Sequence, residues 1–177
     1  MPSDRDELIE RAKSALQKKG AFGEDFDLKT YSEVSGEIPV FNTPSELPSS
    51  IKEAMLKTGV NPSTEGNDGN MLVIDNSIVL NNSNNDGFEL MDIRDALKKY
   101  DWLKDYSWKA VNVDADKYTA ATYLNDSPGY FIRAFAGKKV KLPVQTCIMI
   151  GHDVSAQTVH NIIIVEEGAP IEIISGC

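Results

Sequence analysis

The chain has 177 residues, 41% of them hydrophobic and 25% charged, with a net charge of −9 at neutral pH. That length carries one good core or two small domains, and the acidic balance excludes nucleic acid as the main partner, because phosphate binding needs a basic footprint. No apolar run approaches the about 20 residues that span a bilayer, and the start, MPSDRDELIERAK, is charged and lacks a signal-peptide core, so the sequence predicts a soluble cytoplasmic protein with no membrane partner.

Ser3 to Lys19 is predicted to be a helix. Ser3 and Asp6 offer a weak capping box, and Leu8, Ile9, Ala12, Ala15 and Leu16 share one face. Lys18 and Lys19 suit its negative end, and Gly20 is placed to stop it. Residues 21 to 50 are irregular, broken by Pro39, Pro44 and Pro48. Ser49 or Ser50 is expected to cap a second helix, IKEAMLKTG, that ends at Gly59. NPSTEGNDGN (61 to 70) reads as a linker or turn.

MLVIDNSIVL places two apolar runs around Asp75-Asn76, two residue types that tolerate positive φ, and so predicts a two-residue hairpin. NNSNNDG (81 to 87) is a polar loop. A helix is expected from about Met91 to Tyr100, a further helical stretch in DWLKDYSWKAV, and another helix over 114 to 125, capped by Asp114 or Asp116. After Ser127-Pro128-Gly129 the helical period disappears. YFIRAFA, VKLPVQTCIMIG, TVHNIIIVEEG and PIEIIS are strand-like runs divided at Gly137, Gly151 and Gly168. Four such runs at short spacing suggest a sandwich, a barrel or a solenoid. The organisation expected is a helical region and linker over 1–70, a small α/β segment with the hairpin over 71–126, and a β core over 127–177.

Chemistry is sparse. Asn82, Asn84, Asp86 and Gly87 fit the first half of a calcium loop, but Ile93 stands where the bidentate Glu is required, which leaves a polar turn. The two histidines, His152 and His160, could begin a metal site of the kind found in small β-barrels. It would need a third ligand such as Asp153, Glu166 or Cys147, and no spacing here is diagnostic of one. A turn histidine and a sheet histidine is the simpler reading. Glu166 and Glu167 are strand neighbours that point to opposite faces and share no site. Of the two thiols, Cys147 lies in the apolar run VQTCIMI and is expected to be buried, and Cys177 follows a Gly. Both are expected to be free. No motif declares an enzyme.

The second half resembles a known family. Asp116-Lys117-Tyr118-Thr119-Ala120 is similar to the helix end that precedes the first core strand of the SufB/SufD proteins, the scaffolds of the Suf iron–sulfur cluster assembly system. GYFIRAFAGKKVKLPVQT resembles the family's opening strand block, with Val140, Pro143, Gln145 and Thr146 in place. HNIIIVEEGAPIEIISGC resembles its E-E-G-A … E-G-C block, with His160-Asn161 near the usual Glu-Arg and Ser175 for the usual Glu. LVIDNSIVL and LMDIRDALKKY look like its prelude, with Asn76 where a turn Gly is usual. The resemblance covers roughly 72 to 177 and is nearest to the undivided archaeal type.

That resemblance implies an α+β chain: a helical N-terminal region followed by the first coils of a right-handed parallel β-helix, a truncated β-solenoid. Family members are longer, so a fragment is expected. The resemblance further implies a non-enzymatic scaffold component that works with a SufC-type ABC ATPase, docked through parts beyond residue 177. It implies a homo- or hetero-dimer of SufB/SufD type, and a cluster held transiently in the full-length protein with no cofactor in this chain. By resemblance Cys177 is the sulfur acceptor. Two other readings stand beside it: a small metal-binding β-barrel enzyme using His152 and His160, and an inert β-solenoid interaction module.

Overall fold

The computed structural model describes residues 4–17, 39–152 and 156–176. Helix α1 (Asp4–Leu16) buries Ala12 and Ala15. It packs on α4 (Lys117–Leu124), where Val113 and Ala120 complete a small cluster. Alanine on both faces lets the two backbones approach closely. Arg11 closes the contact on Asp114 at 2.7 Å. Of the two candidate caps for α4, Asp116 is the one used. Its carboxylate accepts the N–H groups of Tyr118 and Thr119 at 2.8 Å, and the Thr119 hydroxyl accepts the Asp116 N–H at 3.0 Å, a complete capping box. Asp114 is engaged by Arg11 instead. The end signals expected for α1 at Ser3, Lys18, Lys19 and Gly20 lie outside the described residues.

Helix α2 (Ser49–Lys57) begins after Pro48, which stands at the cap position, with no serine cap bond. Helix α3 (Ile93–Lys99) is capped by Asp92. The stretch after it is a single 3-10 segment (Asp101–Asp105) rather than an α-helix. Tyr100 is extended (φ −121°, ψ 100°) and breaks away from α3, and Trp108 at φ +57° stops any continuation.

The strands are β1 (Gly69–Ile74), β2 (Ser77–Ser83), β3 (Phe88–Asp92), β4 (Tyr130–Ala134), β5 (Val144–Met149), β6 (Ile162–Val165) and β7 (Ile173–Gly176). Asp75 and Asn76, both at positive φ (+46° and +67°), make the predicted two-residue hairpin between β1 and β2. Strand β2 runs on through Asn81 and Asn82, so the polar loop is shorter than expected. Asp68 closes it, accepting from Asn85 Nδ2 at 2.9 Å and from the N–H groups of Lys141 and Leu142 at 2.9 and 3.0 Å.

The architecture corrects the expectation of a right-handed parallel β-helix. The chain is α+β with two mixed sheets, a four-stranded one in the order β2-β1-β5-β7 and a three-stranded one in the order β3-β4-β6. The tight turn at Asp75-Asn76 forces β2 to return antiparallel to β1, and β4 returns antiparallel to β3 after the helical excursion. Only the pairs β1·β5, β5·β7 and β4·β6 are parallel. Between β1 and β5 the chain inserts two helices and three strands, and between β5 and β7 a single strand, so no coil of constant length repeats.

Side-chain alternation then sets three layers. Met71, Val73, Phe88, Leu90, Tyr130, Ile132, Val140 and Val144 fill the space between the sheets. Leu72, Ile74, Leu80 and Cys147 face the other way, under Leu47, Met55 and Val60. Phe131 and Ile162 face Ile93, Ala96 and Leu103. Strand β1 is covered on both faces, and from Met71 to Ile74 it reads in sequence as an apolar run.

Candidate functional site

The hairpin tip organises the most distinctive polar cluster. Asp75 has a fully buried side chain. Its Oδ1 accepts the Gly151 N–H at 2.8 Å, and its Oδ2 meets His152 Nδ1 at 2.5 Å. Next to it, Asn76 donates from Nδ2 to the Ala156 carbonyl at 3.2 Å and accepts the Thr158 N–H at 3.3 Å. Two adjacent turn residues thereby hold the connection from β5 to β6. The His152 ring is half exposed and oriented by a buried carboxylate, the arrangement that fixes an imidazole's tautomer and direction in catalytic and metal-binding histidines.

His160 is held elsewhere, by different means. Its ring stacks on Trp108 with centroids 4.3 Å apart and planes 29° apart. Burial pushes its pKa down to about 4, so it is neutral near pH 7. Its backbone N–H donates to the Pro128 carbonyl at 3.1 Å. The His160 carbonyl oxygen lies so near Gly129 that a Cβ there would come within 1.9 Å of it. Gly129 is therefore where the chain can pass His160 only without a side chain.

The third ligands considered for these histidines have other surroundings. Cys147 is buried on β5, 3.9 Å from the Thr58 hydroxyl. Glu166 is taken by Arg133 Nε at 2.6 Å and by the Ala136 N–H at 2.9 Å. Asp153 lies outside the described residues. Among the described residues no three His, Cys, Asp or Glu side chains gather in a group that could hold a metal ion.

The Arg133–Glu166 pair is a feature that sequence reading missed, because it weighed Glu166 only against Glu167 and the histidines. The Ala136 N–H, and after it Arg133, hold the Glu166 carboxyl below the usual carboxylate range. The Arg133 guanidinium lies 5.6 Å from the Tyr100 ring, 5.2 Å from Trp102 and 5.4 Å from Phe135. The signal was the charge in Phe131-Ile-Arg-Ala-Phe135, on the strand face shared with Phe131.

Cys177 lies outside the described residues. Gly176, before it, stands opposite Cys147 in the parallel register of β5 and β7. A Cβ on Gly176 would come within 2.7 Å of both Thr58 Oγ1 and Val60 Cγ2, so the turn after α2 crosses there only over a glycine. Ser175, which replaces the acidic residue expected by resemblance, accepts from Thr146 Oγ1 at 3.0 Å.

No family model matches the chain. Similarity to curated proteins is found over most of the chain. An iron-sulfur cluster assembly SufBD family protein of Methanothermobacter thermautotrophicus (strain Delta H) is 39% identical to it over 176 residues, 97% of this chain. The chain is a SufBD family homologue. A SufBD family protein from the Winter strain of the same species is 40% identical over the same span, and one from Archaeoglobus fulgidus is 40% identical over 126 residues, 71% of this chain. The SufBD homologue spans 43% of the length of each Methanothermobacter protein. Its likeness to them takes in nearly all of its own residues, and so extends well N-terminal of residue 72, where the recognisable motifs begin. No helix among its described residues is long and apolar enough to cross a membrane.

Proposed function

We propose that this SufBD homologue serves iron–sulfur cluster assembly as a non-enzymatic scaffold component in the cytoplasm, acting with a SufC-type ABC ATPase and with a second SufB/SufD-type subunit. The observation that carries the reading is 39% identity over 97% of the chain to a protein named for that process. Cys177 is the residue proposed to receive sulfur. Its thiolate attacks the sulfane sulfur of a donor persulfide, a new S–S bond forms on Cys177, and the donor leaves as a thiolate. No cofactor resides in the chain under this reading, and the cluster is cargo.

Mass spectrometry after incubation with a cysteine desulfurase and its persulfide carrier tests the sulfur step. A gain of one sulfur on the peptide that contains Cys177, absent in Cys177→Ser and retained in Cys147→Ser, supports it. Sulfur on Cys147, or unchanged loading in Cys177→Ser, removes Cys177 from the role.

A further inference from the structure

The outer face of the four-stranded sheet is apolar except at one end, where it carries a row of amides. Asn82 of β2 stands in register with Asn70 of β1, and Asn70 with Gln145 of β5. Register partners in neighbouring strands project from the same face, side by side. Asn70 is 1% exposed and Gln145 3%. The segment over 61–67 meets this row: the Asn61 N–H donates to Gln145 Oε1 at 2.6 Å, and Asn70 Nδ2 donates to Asn67 Oδ1 at 2.5 Å.

Those bonds settle which way the central amide points. Asn67 gives its own Nδ2 to the Ser63 carbonyl, so its oxygen faces Asn70 and demands the Asn70 NH₂. The Asn70 Oδ1 is thereby directed away from Asn67, and it is buried with no donor. The Asn82 Oδ1 is likewise buried with no donor. Asn70 and Asn82 are register partners on one face, and neither carbonyl oxygen can serve as the other's donor. Each requires a hydrogen-bond donor, because a buried polar group without a partner is rare and costly.

We infer that Asn70 and Asn82 form a site for one ordered water, which donates one O–H to each amide oxygen and ties the 61–67 segment to the sheet through Asn70 and Asn67. A water matches the chemistry of the pair. It supplies two donors for two acceptors carried by register partners, at a polar spot of an otherwise apolar face. A divalent cation fits less well, since it asks for about six or more oxygens and charged ligands, and both of these are neutral.

A crystal structure at high resolution, from crystals also soaked in a thallium(I) salt, tests the site. The expected result is a density peak within about 3 Å of both Oδ1 atoms, with no anomalous thallium signal there. The peak should vanish in Asn82→Leu, while Asn70 keeps its bond to Asn67. Thallium at the site would overturn the water in favour of a monovalent cation. A turned Asn82 amide donating directly to Asn70 Oδ1, with no peak, would overturn the site altogether.

Discussion

At the scale of single residues the buried Asp75 carboxylate has the largest consequence. It faces Gly151 and His152, and no bulk water reaches it. Asp75→Ala removes the acceptor of the Gly151 N–H and releases the ring, and is expected to cost about 1–2 kcal/mol of stability. Urea unfolding should show it as a lower midpoint with an unchanged slope. A midpoint equal to wild type would mean that the hairpin tip does not hold the β5–β6 connection. His160 gives a pH dependence of definite sign. The folded chain holds its imidazole down to about 4, against an ordinary 6.5. Between these values the unfolded chain binds a proton that the folded one refuses. Stability contributed here is complete above about pH 6.5, declines as pH falls toward 4, and levels off below. Allowing for the ring's partial exposure, the loss is on the order of 2 kcal/mol. His160→Phe keeps a ring against Trp108 and should flatten this limb of the stability profile. An unchanged limb would contradict the assignment. For the thiols, limited alkylation read by mass spectrometry should modify Cys177 before Cys147, which is fully buried under α2. Labelling of Cys147 first would overturn this order.

Among the elements, two edges stand out. Strands β6 and β7 end their sheets, and Ile163 and Val165 on β6 are 44% and 55% exposed. An edge with apolar side chains and unpaired backbone groups invites further strands. Light scattering is expected to show self-association that rises with concentration and weakens in Val165→Lys. A strict monomer at high concentration would count against it. Local elements were legible in the sequence where local chemistry decides them. Asp75-Asn76 supplied its own turn, and Asp116 with Thr119 supplied its own cap. The aromatic stretch after Tyr100 was less legible. Leu103 docks into the core and Trp108 takes a left-handed conformation, and both are set by neighbours distant in sequence. The open pairing of β6 was equally hidden, because Ile162–Val165 looks the same whether its outer edge is covered or not.

For the whole molecule, the pattern of strand pairing was the part that sequence could not supply. The runs after Gly129 are strands, as their composition suggests, but β1 sits between β2 and β5, and the hairpin thereby belongs to the same sheet as β5 and β7, while β4 and β6 pair with β3 in the other. Mixed pairing of that kind rests on contacts between residues such as Leu72 and Cys147, far apart in the chain and without a local signature. The site was legible only in part. His152 was singled out, but its partner Asp75 was read as a turn residue alone. The Arg133–Glu166 pair joins two strands that neither run announces. Family likeness was legible because the E-E-G-A … G-C block is compact, and the similarity to the Methanothermobacter SufBD proteins over 97% of the chain agrees with it. The role in cluster assembly is tested most directly by measuring iron–sulfur enzyme activity in a host strain from which the gene is deleted. The account predicts reduced aconitase-type activity, restored by the wild-type gene and not by Cys177→Ser. Full activity in the deletion strain, with no other SufBD protein present, would contradict it.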